Sequence, residues 1–287
     1  MSEKSNENSK TLTRRSVLKL SPALAGLVLK PDFVLFSQEI ELKSPIDTPS
    51  SLMLHSKDGP NVHALAQLLV KKYRSLTYKS FYASLIAGKI TGNKPPVLIS
   101  IDDLGVTYLN PAFMRMIEAF AKQGLVGTLG IVTRGKPEEA RPEIWEYLIG
   151  CQNLGWELAI HTEDHALLPS LGDRQLEFEI AQPFMDIQAA TGVAPTTLLL
   201  PYGAVNKPNR QEFDQRIFDA CRNLGMRWVV GIAGGKAFEG KPPYYVGRIA
   251  ATQEGEETMR LLQSSFSFSK TAYRRERSPA GGKYFKF

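Results

Sequence analysis

Three short stretches of the chain hold side chains suited to binding a metal ion and moving a proton. The first is Asp102-Asp103, directly after the apolar run Val97-Leu-Ile-Ser-Ile101. The second is His161-Thr-Glu-Asp-His165, after Trp156–Ile160. The third is Pro201-Tyr202-Gly203, after Thr197–Leu200. A spacing of four between two histidines puts both imidazoles on one face of a helical turn, where they can share one cation. A zincin needs Glu after its first His, and Thr162 stands there instead, so that motif fails. A carboxylate from elsewhere completes a two-His, one-carboxylate set, and Asp102 or Asp103 can supply it. With two adjacent carboxylates, one can bind metal while the other stays free as a general base. Each stretch alone is an ordinary feature: an Asp pair caps or turns, a His pair lies on a surface, Pro-Tyr-Gly makes a bend. Their co-occurrence, each after an apolar strand, points to one site.

The elements that must position these residues alternate along the chain. Strand-like runs at Val97–Ile101, Val126–Val132, Trp156–Ile160, Thr197–Leu200 and Arg227–Ile232 are separated by helical stretches. The helices read as Pro111–Lys122, Pro142–Asn153, Asp173–Thr191 and Gln211–Asn223. Cys151-Gln-Asn-Leu-Gly-Trp156 and Cys221-Arg-Asn-Leu-Gly-Met226 nearly repeat, each a helix end turning through glycine into a strand. Repeated βα units of this kind predict a parallel sheet, as a complete or partial barrel, with a doubly wound open sheet as the rival. In a barrel, chemistry gathers at the C-terminal ends of the strands, where all three stretches fall. Residues 38–96 read as a linker followed by one or two helices over Asn61–Ile90, an extension ahead of the strands.

Composition narrows the function. The chain has 287 residues, 43% hydrophobic and 22% charged, which excludes a disordered or fibrous chain. The net charge is +6, but residues 1–30 carry +4, residues 266–287 carry +5, and the body between carries −3. A nucleic-acid-binding domain should itself be basic, so a nucleic-acid partner is not expected. The two cysteines are too few for a disulfide framework or a thiolate zinc cluster and read as buried packing residues. Arg14-Arg15 precedes a modest apolar stretch, Ser21–Leu29, as in a twin-arginine export signal; uncleaved, residues 1–37 would serve as a membrane anchor. Residues 266–287 form a basic tail with interleaved aromatics, read as solvated. Of the four histidines, His55 and His63 lie in the N-terminal region with no evident partner and read as surface residues.

Over about Val97–Ala250 the chain resembles the polysaccharide deacetylases of the NodB-homology group, carbohydrate esterase family 4. The resemblance rests on Pro-Val-Leu-Ile-Ser-Ile-Asp-Asp, on Gly155-Trp-Glu-Leu-Ala-Ile-His-Thr-x-x-His165, on the Glu177/Glu179 helix and on Pro201-Tyr-Gly-x-x-Asn206. The last is in the style of enzymes acting on β-1,6-linked N-acetylglucosamine polymers. It implies a distorted or incomplete (β/α)7 barrel over residues 97–265, a divalent metal, usually Zn²⁺, and acetyl removal from a carbohydrate polymer of the envelope or matrix. By position, Asp103, His161 and His165 would bind metal. Asp102 would be the general base, and the Tyr202 N–H would face the oxyanion. Pro201, Asn206 and Arg248 carry over as substrate-binding residues. Three departures stand out. Leu104 separates Asp103 from Gly105, Leu199 replaces an arginine that orients the base, and no His follows His165 to act as general acid. The last departure motivates a rival reading, a non-catalytic carbohydrate-binding relative; a hydrolase of C–N bonds in a small molecule is another.

Overall fold

The computed structural model describes residues 49–55, 62–87, 93–134, 141–232, 236–237 and 241–264. The export-signal segment and the basic tail lie outside these residues. The strands are β1 (Ser50–Leu54), β2 (Arg74–Leu76), β3 (Pro96–Gly105), β4 (Thr128–Val132), β5 (Glu157–Ile160), β6 (Thr197–Leu199), β7 (Trp228–Gly231), β8 (Lys236–Ala237), β9 (Tyr244–Gly247) and β10 (Ile249–Ala250). The helices are α1 (Val62–Lys72), α2 (Tyr78–Ile86), α3 (Pro111–Lys122), α4 (Pro142–Asn153), α5 (Asp173–Thr191), α6 (Gln215–Asn223) and α7 (Gly255–Ser264).

One sheet runs β10-β1-β3-β4-β5-β6-β7-β9-β8, with β2 added beside β3. Every pairing is parallel except that of the short β8 with β9. The sheet is nearly closed by one strand that changes partners. β9 pairs with β7, the chain kinks at Arg248, and β10 continues onto β1. With the short β2 and β8 set aside and β9 and β10 counted as one stave, seven staves remain, a distorted (β/α)7 barrel. The sequence places residues 38–96 ahead of the barrel, whereas β1 is a stave of it, between β10 and β3. Its five residues, Ser-Ser-Leu-Met-Leu, are too few to show a period and follow a Pro/Ser/Asp-rich stretch.

Strand alternation sorts the apolar residues into two cores. Val97, Ile99, Ile101, Leu129, Ile131, Leu158, Ile160, Leu198 and Val229 face the helices. Leu98, Ala159, Leu199, Trp228, Val230, Tyr244 and Val246 fill the barrel, together with Tyr78, Phe81, Tyr82 and Leu85 of α2. The helix α2 thus plugs the barrel. Trp228 is its anchor, with Phe81 stacked at 5.5 Å and its Nε1–H donating to the Tyr78 carbonyl at 2.9 Å. The start of α2 is fixed by a capping box between Thr77 and Ser80. Beside it, the buried Glu157 carboxylate accepts the Lys79 N–H (2.8 Å) and the hydroxyls of Thr128, Thr196 and Thr197 (3.0, 3.0 and 2.6 Å). Four donors and a helix N-terminus offset the cost of burying that charge.

The helix α6 starts at Gln215 rather than Gln211, because residues 206–213 turn back through an Asn206–Phe213 bridge and Asp214 is the cap. Asp214 is buried. It accepts Arg216 Nε at 2.9 Å and Nη2 at 2.6 Å, and Arg216 also reaches Asp173 and the Leu171 carbonyl, each at 2.9 Å. The Arg216 hydrogen bonds hold the Asp214 carboxyl below its ordinary pKa. A depressed folded value contributes stability that is complete above the unfolded pKa, about 3.9, and is lost as pH falls through the folded value. Unfolding curves of the parent and Asp214→Asn should therefore differ at pH 7 and converge in acid; a constant gap down to pH 3 would contradict this.

Candidate active site

The site begins with an irregularity in β3. Ile101 pairs with Leu129, but Leu104 pairs with Ile131, so three steps of β3 match two of β4. The extra residue makes a bulge, and Asp103 takes a left-handed φ of 69°. Leu104, which interrupts the expected Asp-Asp-Gly, is fully buried and restores the register. The bulge separates the two carboxylates. Asp102 points into the barrel and is 1% exposed, while the Asp103 side chain stands on the rim at 41%.

The next part comes from β5. Glu157, Ala159 and His161 share the inward face by alternation, so His161 reaches the barrel mouth beside Asp102. Gly130 of β4 packs closely beside them: a Cβ there would lie 3.0 Å from Leu199 Cδ1 and 3.4 Å from the Asp102 Cα and the His161 Cβ. The four-residue spacing predicts a helical turn from His161 to His165; instead, Thr162 (φ 64°) and His165 (φ 56°) are both left-handed in an irregular loop. The Thr162 hydroxyl accepts the Ala166 N–H at 3.1 Å and closes the loop. The result still converges. His161 Nε2 is 3.0 Å and His165 Nε2 3.1 Å from the same Asp103 oxygen. Burial pushes the Asp103 carboxyl up, but its hydrogen bonds to the two imidazoles outweigh this and hold it far below the usual range.

These three groups fit a divalent cation. Their ligand atoms lie within 4.8 Å of one another. His161 Nδ1 donates to the Leu199 carbonyl at 2.8 Å, so Nε2, the nitrogen that faces Asp103, is the one that would bind a cation. The donor set of two imidazoles and one carboxylate suits zinc and neighbouring divalent ions.

Beneath them, Asp102 is held by Arg248. Arg248 Nη1 donates to both carboxylate oxygens at 2.7 and 2.8 Å and to the Ser100 hydroxyl at 2.9 Å. Its Nε donates to the Gly231 carbonyl at 3.3 Å. The side chain has no exposure. Arg248, which the resemblance places against substrate, lies instead beneath Asp102, carried there by the kink between β9 and β10. Leu199, on the stave expected to supply that arginine, is a barrel-core residue.

The third stretch forms the opposite lip. Pro201–Gly203 is one 3-10 turn in which Tyr202 has φ 57° and is 65% exposed, its ring 4.8 Å from that of His165. Gly203 is required: a Cβ would lie 2.3 Å from Ile232. Pro201 is buried, and Asn206 is half-buried with its Oδ1 shielded and without a hydrogen-bond partner.

The structure adds a residue that the sequence reading left at the surface. His55 directly follows β1, whose last pair is Leu54 with Ile101, so it stands one step on, level with Asp102. It is half-buried, and its charge bears on the Asp103 carboxyl. The available signal was grammatical: Met53-Leu54-His55 ends an apolar run in histidine, as Ala159-Ile160-His161 does. His63, on α1, is exposed.

A parallel α/β barrel with a candidate cation site and a buried, arginine-held carboxylate at the C-terminal rim is a class that comparison with known proteins narrows. Residues 89–227 match the model of the polysaccharide deacetylase family. Solved structures agree on the fold. A Streptococcus pyogenes deacetylase, PplD, solved with acetate, superposes with a TM-score of 0.58 at 13% identity, covering 76% of this chain and 99% of that one. IcaB from Ammonifex degensii gives 0.54 at 17% identity, covering 78% and 98%. A de-N-acetylase from Aggregatibacter actinomycetemcomitans gives 0.56 at 15% identity, covering 74% and 98%. No curated protein sequence matches the chain.

Proposed function

We propose that the protein is a divalent-cation-dependent hydrolase that removes acetyl groups from an N-acetylated carbohydrate polymer. The observation that carries this reading is the division of labour between adjacent carboxylates, with Asp103 grouped with His161 and His165 and Asp102 set apart against Arg248. When bound, a cation on Asp103, His161 and His165, for which zinc is our choice, supplies Lewis acidity for an acyl carbonyl and for water. Asp102 takes the proton from the attacking water. The Tyr202 N–H, on its strained turn, faces the developing oxyanion. His55 gives a proton to the leaving nitrogen as the C–N bond breaks, so acetate and a free amine result. His55 fills the role that no histidine after His165 can take. Pro201 and Asn206 lie at the lip where the sugar would dock.

A polymer is favoured by exposed side chains after the barrel strands: Tyr108 beyond β3 (64%) and Tyr202 beyond β6 (65%) offer ring faces to pyranoses. The Arg14-Arg15 segment supports export to the envelope, where such a polymer would be met.

The test is acetate release from β-1,6- and β-1,4-linked N-acetylglucosamine oligomers. The parent should turn over, lose activity with a chelator and regain it with zinc. His55→Ala should lose about 10²–10⁴ in rate with zinc content unchanged. A zinc-loaded parent that binds these oligomers without releasing acetate would instead identify a glycan-binding relative.

A further inference from the structure

The loop carrying both histidines is gripped from behind by α5, and the grip depends on a proline. In an uninterrupted helix the N–H of residue 183 would donate to the carbonyl of Glu179. Pro183 has no N–H, so that carbonyl is released. It accepts the Glu163 N–H instead, at 3.1 Å. One residue further on, the Asp164 N–H donates to Oε2 of the Glu179 carboxylate at 2.9 Å. Its other oxygen is held by Gln175 Nε2 at 3.1 Å, and Glu179 is 1% exposed. From the opposite side, the Thr133 hydroxyl of the strand β4 exit donates to Glu163 at 2.6 Å.

We propose that Pro183 and Glu179 form a two-point clamp that sets the separation of His161 and His165. The left-handed conformations of Thr162 and His165 are costly and persist only where their surroundings over-determine them. The clamp supplies that constraint by fixing the Glu163 and Asp164 amides between the histidines. A helix-interior proline, ordinarily unfavourable, is then explained by the acceptor it liberates. Both residues are positioning residues: neither touches a reacting atom. The inference rests on reading Asp103, His161 and His165 as cation ligands.

The test uses the full chain with Pro183→Ala, Glu179→Ala and Glu179→Gln. Two properties are read: hydrogen exchange at the Glu163 and Asp164 amides in zinc-free protein, and zinc affinity by competition with a chromogenic chelator. In Pro183→Ala the new N–H reclaims the Glu179 carbonyl. The Glu163 amide should then exchange at least about tenfold faster and zinc affinity should fall about 10- to 100-fold, while thermal stability equals or exceeds the parent's. Glu179→Ala should expose the Asp164 amide, and Glu179→Gln, which keeps an acceptor, should restore most protection. Parental exchange and parental zinc affinity in Pro183→Ala would overturn the clamp, even should Glu179→Ala fail to fold. A parent that binds no zinc would defeat the metal reading instead, and amide exchange would still judge the clamp.

Discussion

Asp102→Asn is expected to release acetate about 10²–10⁴ times more slowly than the parent while binding zinc with unchanged affinity. The substitution keeps the shape of the side chain and an oxygen for Arg248, but removes the charge that, on the proposed mechanism, would take a proton from water. Zinc should remain because the candidate ligands are Asp103, His161 and His165, and the nearer Asp102 oxygen is 4.0 Å from His161 Nε2, against 3.0 Å for Asp103. Steady-state acetate release and elemental analysis on the same preparation separate the roles. Loss of zinc together with activity would make Asp102 a ligand; retention of activity would remove it from the chemistry.

Arg248→Met should lose activity to a similar degree and also destabilise the fold by about 3–5 kcal/mol, the usual cost of stripping the partner from a buried ion pair. Both side chains are almost fully shielded, at 0% and 2% exposure, so solvent does little to compensate Asp102. Arg248→Lys should recover only part of either effect. A lysine ammonium can meet the carboxylate and Ser100 from one nitrogen, but not also the Gly231 carbonyl, which the guanidinium reaches through Nε. Urea unfolding of the three proteins, alongside their acetate release, gives the comparison. Parental stability in the methionine variant would mean that the pair contributes nothing net.

The regular parts of this fold were legible because each carries a local signal. The helices α3, α4 and α5 have the bounds their periodicity and flanking Pro or Gly predict. The strands β4 to β7 stand out as short buried runs. What the sequence hid depends on distant partners. β1 is five residues with no period, and only its place between β3 and β10 makes it a stave. His55 follows it and was hidden with it. The bulge at Asp103 exists only relative to the register of β4, and the helical turn expected of His161–His165 was displaced by a clamp from α5, many residues away. Arg248 was noticed in the sequence, but its direction could not be read: one residue on either side of a kink faces the barrel or the solvent.

That kink has a consequence for when the molecule becomes competent. A chain laid down through β7 already owns all three groups able to grip a cation, yet Asp102 still lacks its counter-charge. The guanidinium arrives only with the final stave, whose two halves bind the neighbouring edges and shut the ring. On the reading proposed above, closing the ring and arming Asp102 are therefore a single event.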